Sequence, residues 1–385
     1  YLFGHCNATE ELANLLQSKG FTIIAILDNN SEKQGKVYQG IPIQAPQIVL
    51  SSPPEETVVC IVARAYASMA DQLKRIGFKG QVRKLVDYNT YAEYSLSSET
   101  IIRKQQRVKR GMALLRQLKD TYPGHFIFLC PFSALGDIYF TMSYLPYFIK
   151  KRKITKYMIA VIGNACIQVV RIFDACPTQV LSQKDMDETV QAALYLDDPN
   201  VFIPHQDRPY VVNLSKALYV KLIPLEKIYC CGVFGLLSST KPYSPTFLRL
   251  YDRLEEIKPG KSVIVSPYAK SVTALNLKVW KQIIEGYLSK GYICYTNVAG
   301  EEKPLPGTYA ISPNISEMQS VVERAGLFIG IRSGLCDVIR EASCEKIALY
   351  PDYQYCDTKW KAIDMYWLDG WENIVVGEEF QWNKI

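Results

Sequence analysis

Short apolar runs alternate with helix-length amphipathic stretches along most of this chain, and they do so in three separate blocks. Strand–helix–strand alternation predicts a parallel sheet flanked by helices. In the first block the strands are YLFG, FTIIAILD, ETVVCIV and QVRKLVD, with helices expected over 8–19 and 66–77. The second block opens after His125 with FIFLC, a helix over 136–149, YMIAVIG and a helix over 164–173. The third opens near Ser262 with SVIVSP, YICYTNVAG, LFIGI and KIALYP. Its helices are expected over 276–289 behind an Asn276 cap, over 315–325 behind an Asn314/Glu317 capping box, and over 334–342. Residues 177–245 mix polar turns with apolar runs and give no clear element order, and the last fifty residues read as loop-rich. The fold class is therefore α/β. Residues 1–95 read as a small Rossmann-like accessory domain, 96–122 as a basic linking helix, 123–245 as a second α/β domain and 246–385 as a third.

Composition narrows the function. A chain of 385 residues with 48% hydrophobic and 21% charged residues is neither disordered nor a small disulfide scaffold. A net charge of +6 is too small to argue for nucleic acid. Three histidines make a His-rich metal centre improbable. Eleven cysteines, several inside apolar runs and none in a C-x-x-C pair, read as reduced buried thiols in a cytoplasmic setting. Residues 126–149 carry one charge, Asp137, but Pro131, Gly136 and Pro146 interrupt them, so a buried strand, turn and helix fits better than a membrane span. Arg103, Lys104, Arg107, Lys109, Arg110, Arg116 and Lys119 on the linking helix, and Lys150–Lys153, read first as solvated faces. They also offer a surface to anionic lipid at the inner face of a membrane.

Ligands of parallel sheets sit at the carboxyl ends of the strands. Three such ends carry chemistry here. After FIFLC comes a loop with Ser133, Gly136 and Asp137; the carboxylate either takes a proton from an acceptor hydroxyl or simply favours the helix dipole. After SVIVSP come Ser266, Lys270 and Lys278, whose hydroxyl and ammonium groups suit phosphate oxygens. After LFIGI come Arg332, Ser333, Gly334, Leu335 and Asp337, where a helix start and an arginine suit an anion. In the first block, Asp28 ends the second strand, where dinucleotide folds often place a ribose-binding acid. The turn Gly4-His5-Cys6-Asn7-Ala8-Thr9 lacks two of the three glycines of a dinucleotide fingerprint, which counts against NAD.

Leu135-Gly136-Asp137, Ser266-Pro267 with Lys278-Val279-Trp280, and Ser333-Gly334-Leu335, in that order, resemble the heptosyltransferase-type family of GT-B glycosyltransferases over roughly residues 125–352. The N-terminal stretch, through FGHCNATEELANLLQSKGFTIIAILDNN, resembles the Rossmann-like domain of bacterial sugar acyltransferases. The first resemblance implies a GT-B pair, with 123–245 as the acceptor domain and 246–385 as the nucleotide-sugar donor domain. It implies an inverting, metal-independent transfer with no cofactor, from a nucleotide diphosphate sugar to a glycan or lipid-linked acceptor in bacterial surface polysaccharide (lipopolysaccharide or capsule) biosynthesis. Asp137 would be the general base. Lys278 would contact the diphosphate, Asn297 and Glu301 the base or ribose, and Ser333, Gly334 and Leu335 the diphosphate again. Two positions depart from the family: Arg332 stands where it often has Asp, and Asp337 where it has His. Arg-Ser-Gly is also similar to fucosyl-transferring GT-B enzymes. The rival readings are a non-catalytic nucleotide-sugar-binding regulator or scaffold, an oxidoreductase or epimerase using the N-terminal fold, and a transferase of CDP-linked polyol phosphates.

Overall fold

The structure, a computed structural model, describes residues 1–63, 66–84, 98–205, 223–247, 249–269, 272–352, 361–377 and 380–382. It divides into two compact units, residues 1–105 and 106–385.

The first unit is a six-stranded sheet. Its strands are β1 (Leu2–Phe3), β2 (Ile26–Leu27), β3 (Val37–Tyr38), β4 (Ile41–Gln44), β5 (Val58–Ile61) and β6 (Gln81–Arg83), in the order β3-β4-β2-β1-β5-β6. All pairs are parallel except β3 with β4, which a short turn joins as a hairpin. Helices α1 (Asn7–Ser18) and α2 (Tyr66–Arg75) lie close to where the periodicity places them. Of FTIIAILD only Ile26 and Leu27 are strand; Phe21 and Ile24 before them are exposed. The rest of QVRKLVD lies outside the described residues.

Helix α3 (Ser98–Thr121) follows. Its second half belongs to the second unit. Gly111 lies so close to the Glu188 carbonyl that a Cβ would overlap it, and Leu115 and Leu118 are buried against strand residues Ile127 and Met158. Two of its cations are not merely solvated: Arg110 pairs with Glu188 at 2.5 Å, and Lys119 pairs with Asp198.

The second unit holds two further parallel sheets. One contains β7 (Phe126–Leu129), β8 (Tyr157–Ile162), β9 (Thr178–Leu181) and β10 (Val201–Phe202), in the order β10-β7-β8-β9. Its helices are α4 (Leu135–Arg152), α5 (Asn164–Phe173) and α6 (Gln183–Leu196). The other contains β11 (Ser262–Ser266), β12 (Ile293–Asn297), β13 (Tyr309–Ile311), β14 (Gly326–Ile331), β15 (Glu345–Pro351) and β16 (Glu372–Val376), in the order β13-β12-β11-β14-β15-β16. Its helices are α7 (Leu277–Ser289), α8 (Met318–Ala325), α9 (Gly334–Val338) and α10 (Ala362–Tyr366). The expected α/β class is present, and the second unit holds the expected two Rossmann-like halves, each a parallel sheet with helices. One buried cluster runs through both halves, from Phe128, Tyr139 and Tyr144 to Phe328, Cys336 and Tyr350, so the two sheets fold around shared apolar surface.

The apolar segment 126–149 resolves into β7 and α4, with Phe128, Ile138, Tyr144 and Leu145 buried in that cluster. Among the described residues no helix is long and apolar enough to cross a membrane. Trp280 is core, at 2% exposure. Helix α9 ends at Val338 rather than near 342. Beyond it the backbone tightens into three-residue turns, Arg340 N–H to the Asp337 carbonyl and Ala342 N–H to the Ile339 carbonyl, before β15 begins.

Candidate active site

The carboxyl ends of strands from both sheets of the second unit open onto one cleft of about 500 Å³. Ser133, Ala134 and Leu135 reach it after β7, and Ala165 and Gln168 from α5 after β8. From the other half come Ser266 to Ala269 after β11, Asn297 to Gly300 after β12, Ser312 to Ile315 after β13, and Ser333 to Leu335 after β14. Two contacts fasten the halves beside it. The Ile315 N–H donates to Gln168 Oε1 at 2.7 Å. The start of α9 presses on the start of α4: a Cβ on Gly334 would lie 2.3 Å from the Gly136 nitrogen, and one on Gly136 would lie 2.8 Å from Asp337 Oδ2. Only glycine permits that approach at either position.

Of the residues singled out in the sequence, Ser133, Ser266, Asn297, Ser333, Gly334 and Leu335 line the cleft together. Gly136 supports its floor through Gly334. Lys270 lies outside the described residues. Lys278 is exposed on the first turn of α7, where Asn276 caps the helix by accepting the Lys278 N–H at 2.9 Å; its side chain is not part of the lining. Glu301 is exposed beside the lining, which takes Glu302 instead, and Glu302 Oε2 accepts the Ala299 N–H at 2.8 Å. The sequence pattern misses Gln168, Ser312 and Asn314, which lie after strands of ordinary composition.

Arg332 and Asp337 are placed differently from the expectation that both face a donor. Each is buried, at 6% and 2% exposure, and they form a bidentate pair: Nη1 to Oδ2 at 2.9 Å and Nη2 to Oδ1 at 2.7 Å. Arg332 also donates to the carbonyls of Tyr366 at 2.9 Å and Ser333 at 2.5 Å. Its fork is occupied within the chain, and neither residue lines the cleft. Burial disfavours the charge on both. Asp337 is raised by burial while Arg332 opposes the rise; burial likewise acts against the Arg332 charge, but the Asp337 carboxylate holds it firmly cationic. The helix that was to hold an anion, α9, has five residues and a correspondingly small dipole.

Asp137 stands in the first turn of α4, two residues past the lining residue Leu135, and is part-buried. Its Oδ1 accepts a hydrogen bond from the Tyr229 hydroxyl at 2.7 Å. Burial pushes its carboxyl up to about 6; Tyr229 pulls down against that rise and the charge of Asp337 adds to it. Such a value suits a general base near neutrality. Tyr229 lies in the helical turn Ile228–Val233, inside the stretch whose element order the sequence does not reveal.

Among the described residues no cluster of His, Cys, Asp and Glu could hold a metal ion. Asp185-Met186-Asp187 is an Asp-x-Asp sequence. It lies in the first turns of α6, where Asp185 accepts from Ser182 and Asp187 from Gln183. In the first unit, Asp28 is held by the chain itself: it accepts from the N–H groups of His5 and Asn30 and from Lys33 Nζ, at 2.9, 2.8 and 3.1 Å. Burial acts to raise its carboxyl, but these donors bring it below the usual value.

No known family profile matches the chain. A segment of 81 residues is 35% identical to the redox-sensing transcriptional repressor Rex of Brevibacillus brevis, which is 20% of this chain and 39% of that protein. The chain thus spans about two fifths of the length of the curated relative it matches. Among solved structures it is similar to the iron-containing dodecameric glycosyltransferase TibC of enterotoxigenic E. coli H10407 (TM-score 0.41, 13% identity, 61% of each chain). It is similar also to a family 9 glycosyl transferase of Veillonella parvula DSM 2008 (0.43, 12%, 65% of this chain and 85% of that one). A third is the ADP-heptose lipopolysaccharide heptosyltransferase II of E. coli (0.45, 10%, 65% and 89%). At such identities residue roles do not transfer.

Proposed function

We propose that residues 106–385 form an inverting, metal-independent glycosyltransferase that moves a sugar from a nucleotide diphosphate to a hydroxyl of a glycan or lipid-linked acceptor. Bacterial surface polysaccharide assembly is the setting this reading carries. The observation that supports it best is the cleft itself. It gathers the carboxyl ends of two parallel sheets, and the Gly136–Gly334 contact brings the loop bearing Asp137 against the loop bearing Ser333. In this reading 123–245 is the acceptor side and 246–385 the donor side. Asp137 removes the proton of the acceptor hydroxyl. The freed oxygen bonds to the anomeric carbon as the bond from that carbon to the diphosphate oxygen breaks, and the nucleoside diphosphate leaves with the electron pair. Ser266, Asn297, Ser333, Gly334 and Leu335 hold the donor. The Arg332–Asp337 pair supports the donor loop from behind rather than touching the sugar nucleotide.

One observation favours the second reading, a nucleotide-sugar-binding protein without catalysis: Asp137 is not in the cleft lining. A thermal-shift panel of UDP, GDP, ADP, CDP and dTDP, with NAD as a control, tests both. A diphosphate at about 100 times its dissociation constant stabilises by about 2.7 kcal/mol. We expect one diphosphate to raise the melting temperature, and Ser333→Tyr to abolish that rise. If Asp137→Asn then binds the diphosphate while donor hydrolysis or transfer is the same as in the wild type, Asp137 is not the base. If no diphosphate binds, the transferase reading falls.

A further inference from the structure

Tyr229 is wholly buried, and its hydroxyl has Asp137 Oδ1 as acceptor at 2.7 Å. Its ring is fixed from two sides. It stacks on Phe140 of α4 with centroids 6.3 Å apart and planes at 27°, and meets Phe132 edge-on at 6.3 Å and 87°. A ring clamped in this way has little freedom to withdraw its hydroxyl. We propose that Tyr229 is a positioning residue for Asp137: it fixes the carboxylate through Oδ1, so that Oδ2 is the oxygen that accepts the proton of the acceptor hydroxyl. The proposal rests on reading Asp137 as the base.

The groups around Asp137 act in opposite directions. From the turn Ile228–Val233, Tyr229 donates a hydrogen bond that favours the carboxylate. From α9, Asp337 disfavours it, although Arg332 occupies both Asp337 oxygens. The Glu226–Arg340 pair at 3.2 Å meets Tyr144, further along α4. His205 lies against Phe132 with ring centroids 5.8 Å apart, on the loop after β10. Without Tyr229 the repulsion from Asp337 and the burial would remain, and the carboxylate would be harder to form.

The test follows the Asp137 carboxyl directly and needs no substrate. In protein labelled with ¹³C at the aspartate side-chain carboxyls, the Asp137 resonance is the one that Asp137→Asn removes. Its midpoint is followed between about pH 4 and 8, a range that brackets an ordinary and a raised carboxyl. In Tyr229→Phe, which keeps the ring, the midpoint should rise by about one unit, a tenfold loss of carboxylate on the acid side. Single-site 3-fluorotyrosine at 229, a stronger donor, should lower it, and this second variant serves if the phenylalanine protein does not fold. Unchanged midpoints in a folded protein overturn the proposal. Once the donor is known, the acid limb of the pH–rate profile should move with the midpoint while KM holds; a purely structural role would lower stability and leave both midpoint and limb in place. Because the titration needs no turnover, its result stands apart from that of the nucleotide panel.

Discussion

Asp137 carries an unfavourable self-energy that can be measured. Its carboxyl is raised from 3.8 to about 6 by burial, so the folded chain holds a proton there that the unfolded chain has already released. Between those values the folded state binds more protons, and stability falls as pH rises on this group's account. The penalty is absent below about pH 3 and complete above about pH 7. Asp137→Asn, which keeps an oxygen for Tyr229, should therefore stabilise the fold by roughly 1–2 kcal/mol at neutral pH and by nothing near about pH 3. Chemical denaturation of both proteins at the two pH values checks this. Equal stabilities at neutral pH would mean that Asp137 is not in a desolvated place. The sequence did mark Asp137 and the lining residues Ser133, Ser266 and Ser333, because a polar residue just past an apolar strand is visible as a change of composition. It did not mark Tyr229. A tyrosine in an apolar run, KIYCCGVFGLL, looks like any other core aromatic until its hydroxyl is seen to meet a carboxylate 92 residues away. Nor did it reveal that Arg332 and Asp337 satisfy each other, since one helical turn decides whether a charge faces a ligand or its neighbour.

At the junction of α4 and α9 the two halves meet backbone to backbone. Gly334→Ala would place a methyl group 2.3 Å from the Gly136 nitrogen and 2.9 Å from Leu135 Cβ, atoms of backbone and near-backbone that cannot step aside. The variant should lose about 2 kcal/mol or more of stability through forced separation of the helices, on the scale of overpacking in a tight core. It should also lose any diphosphate-dependent rise in melting temperature. Gly232→Ala, whose new methyl group would meet nothing nearer than 4.0 Å, is the matched control. If Gly334→Ala melts like the wild type, the contact is looser than described. At this scale the sequence was legible where strands are buried on both faces. Strands β7, β8, β11, β14 and β15 are continuous apolar runs, and α7 announces itself with Asn276. The edge strands were not legible: all four residues of β9 are half-buried, and the apolar run of β16 is only Ile374–Val376, inside a stretch that reads as loop-rich. Helix α6 begins Gln-Lys-Asp-Met-Asp-Glu, in which Met186 is the single apolar residue, and its buried Glu188 is hidden among the other polar ones.

Each unit carries its own apolar core. The first is built on Phe3, Leu27, Val59 and Ile61 on one face of its sheet and on Leu2, Ile26 and Ile43 on the other. The second holds three clusters, the largest running through both of its sheets. Helix α3 gives Leu115 and Leu118 to the second unit. A chain shortened to start at the first residue of α3 therefore keeps every described core residue of the second unit. It should melt cooperatively within a few degrees of the main transition of the full chain and respond to the same nucleoside diphosphate. Calorimetry of the full and shortened chains tests this. A shortened chain without a cooperative transition would show that the second unit depends on residues before Ser98.

The bidentate Arg332–Asp337 pair has a consequence on an evolutionary timescale. Removing either partner alone leaves a buried, uncompensated charge, at a cost of about 3–5 kcal/mol, a large share of what keeps an ordinary domain folded. Replacing both together with apolar residues of similar volume is often nearly neutral. The two positions are thus inherited as a unit. Drift at one without the other leads through a poorly folded intermediate, so descendants of this chain should show Arg with Asp, or two apolar residues, and seldom a mixture. The loop in front of the pair, which lines the cleft, can meanwhile change one residue at a time, leaving ligand preference freer to diverge than the support behind it.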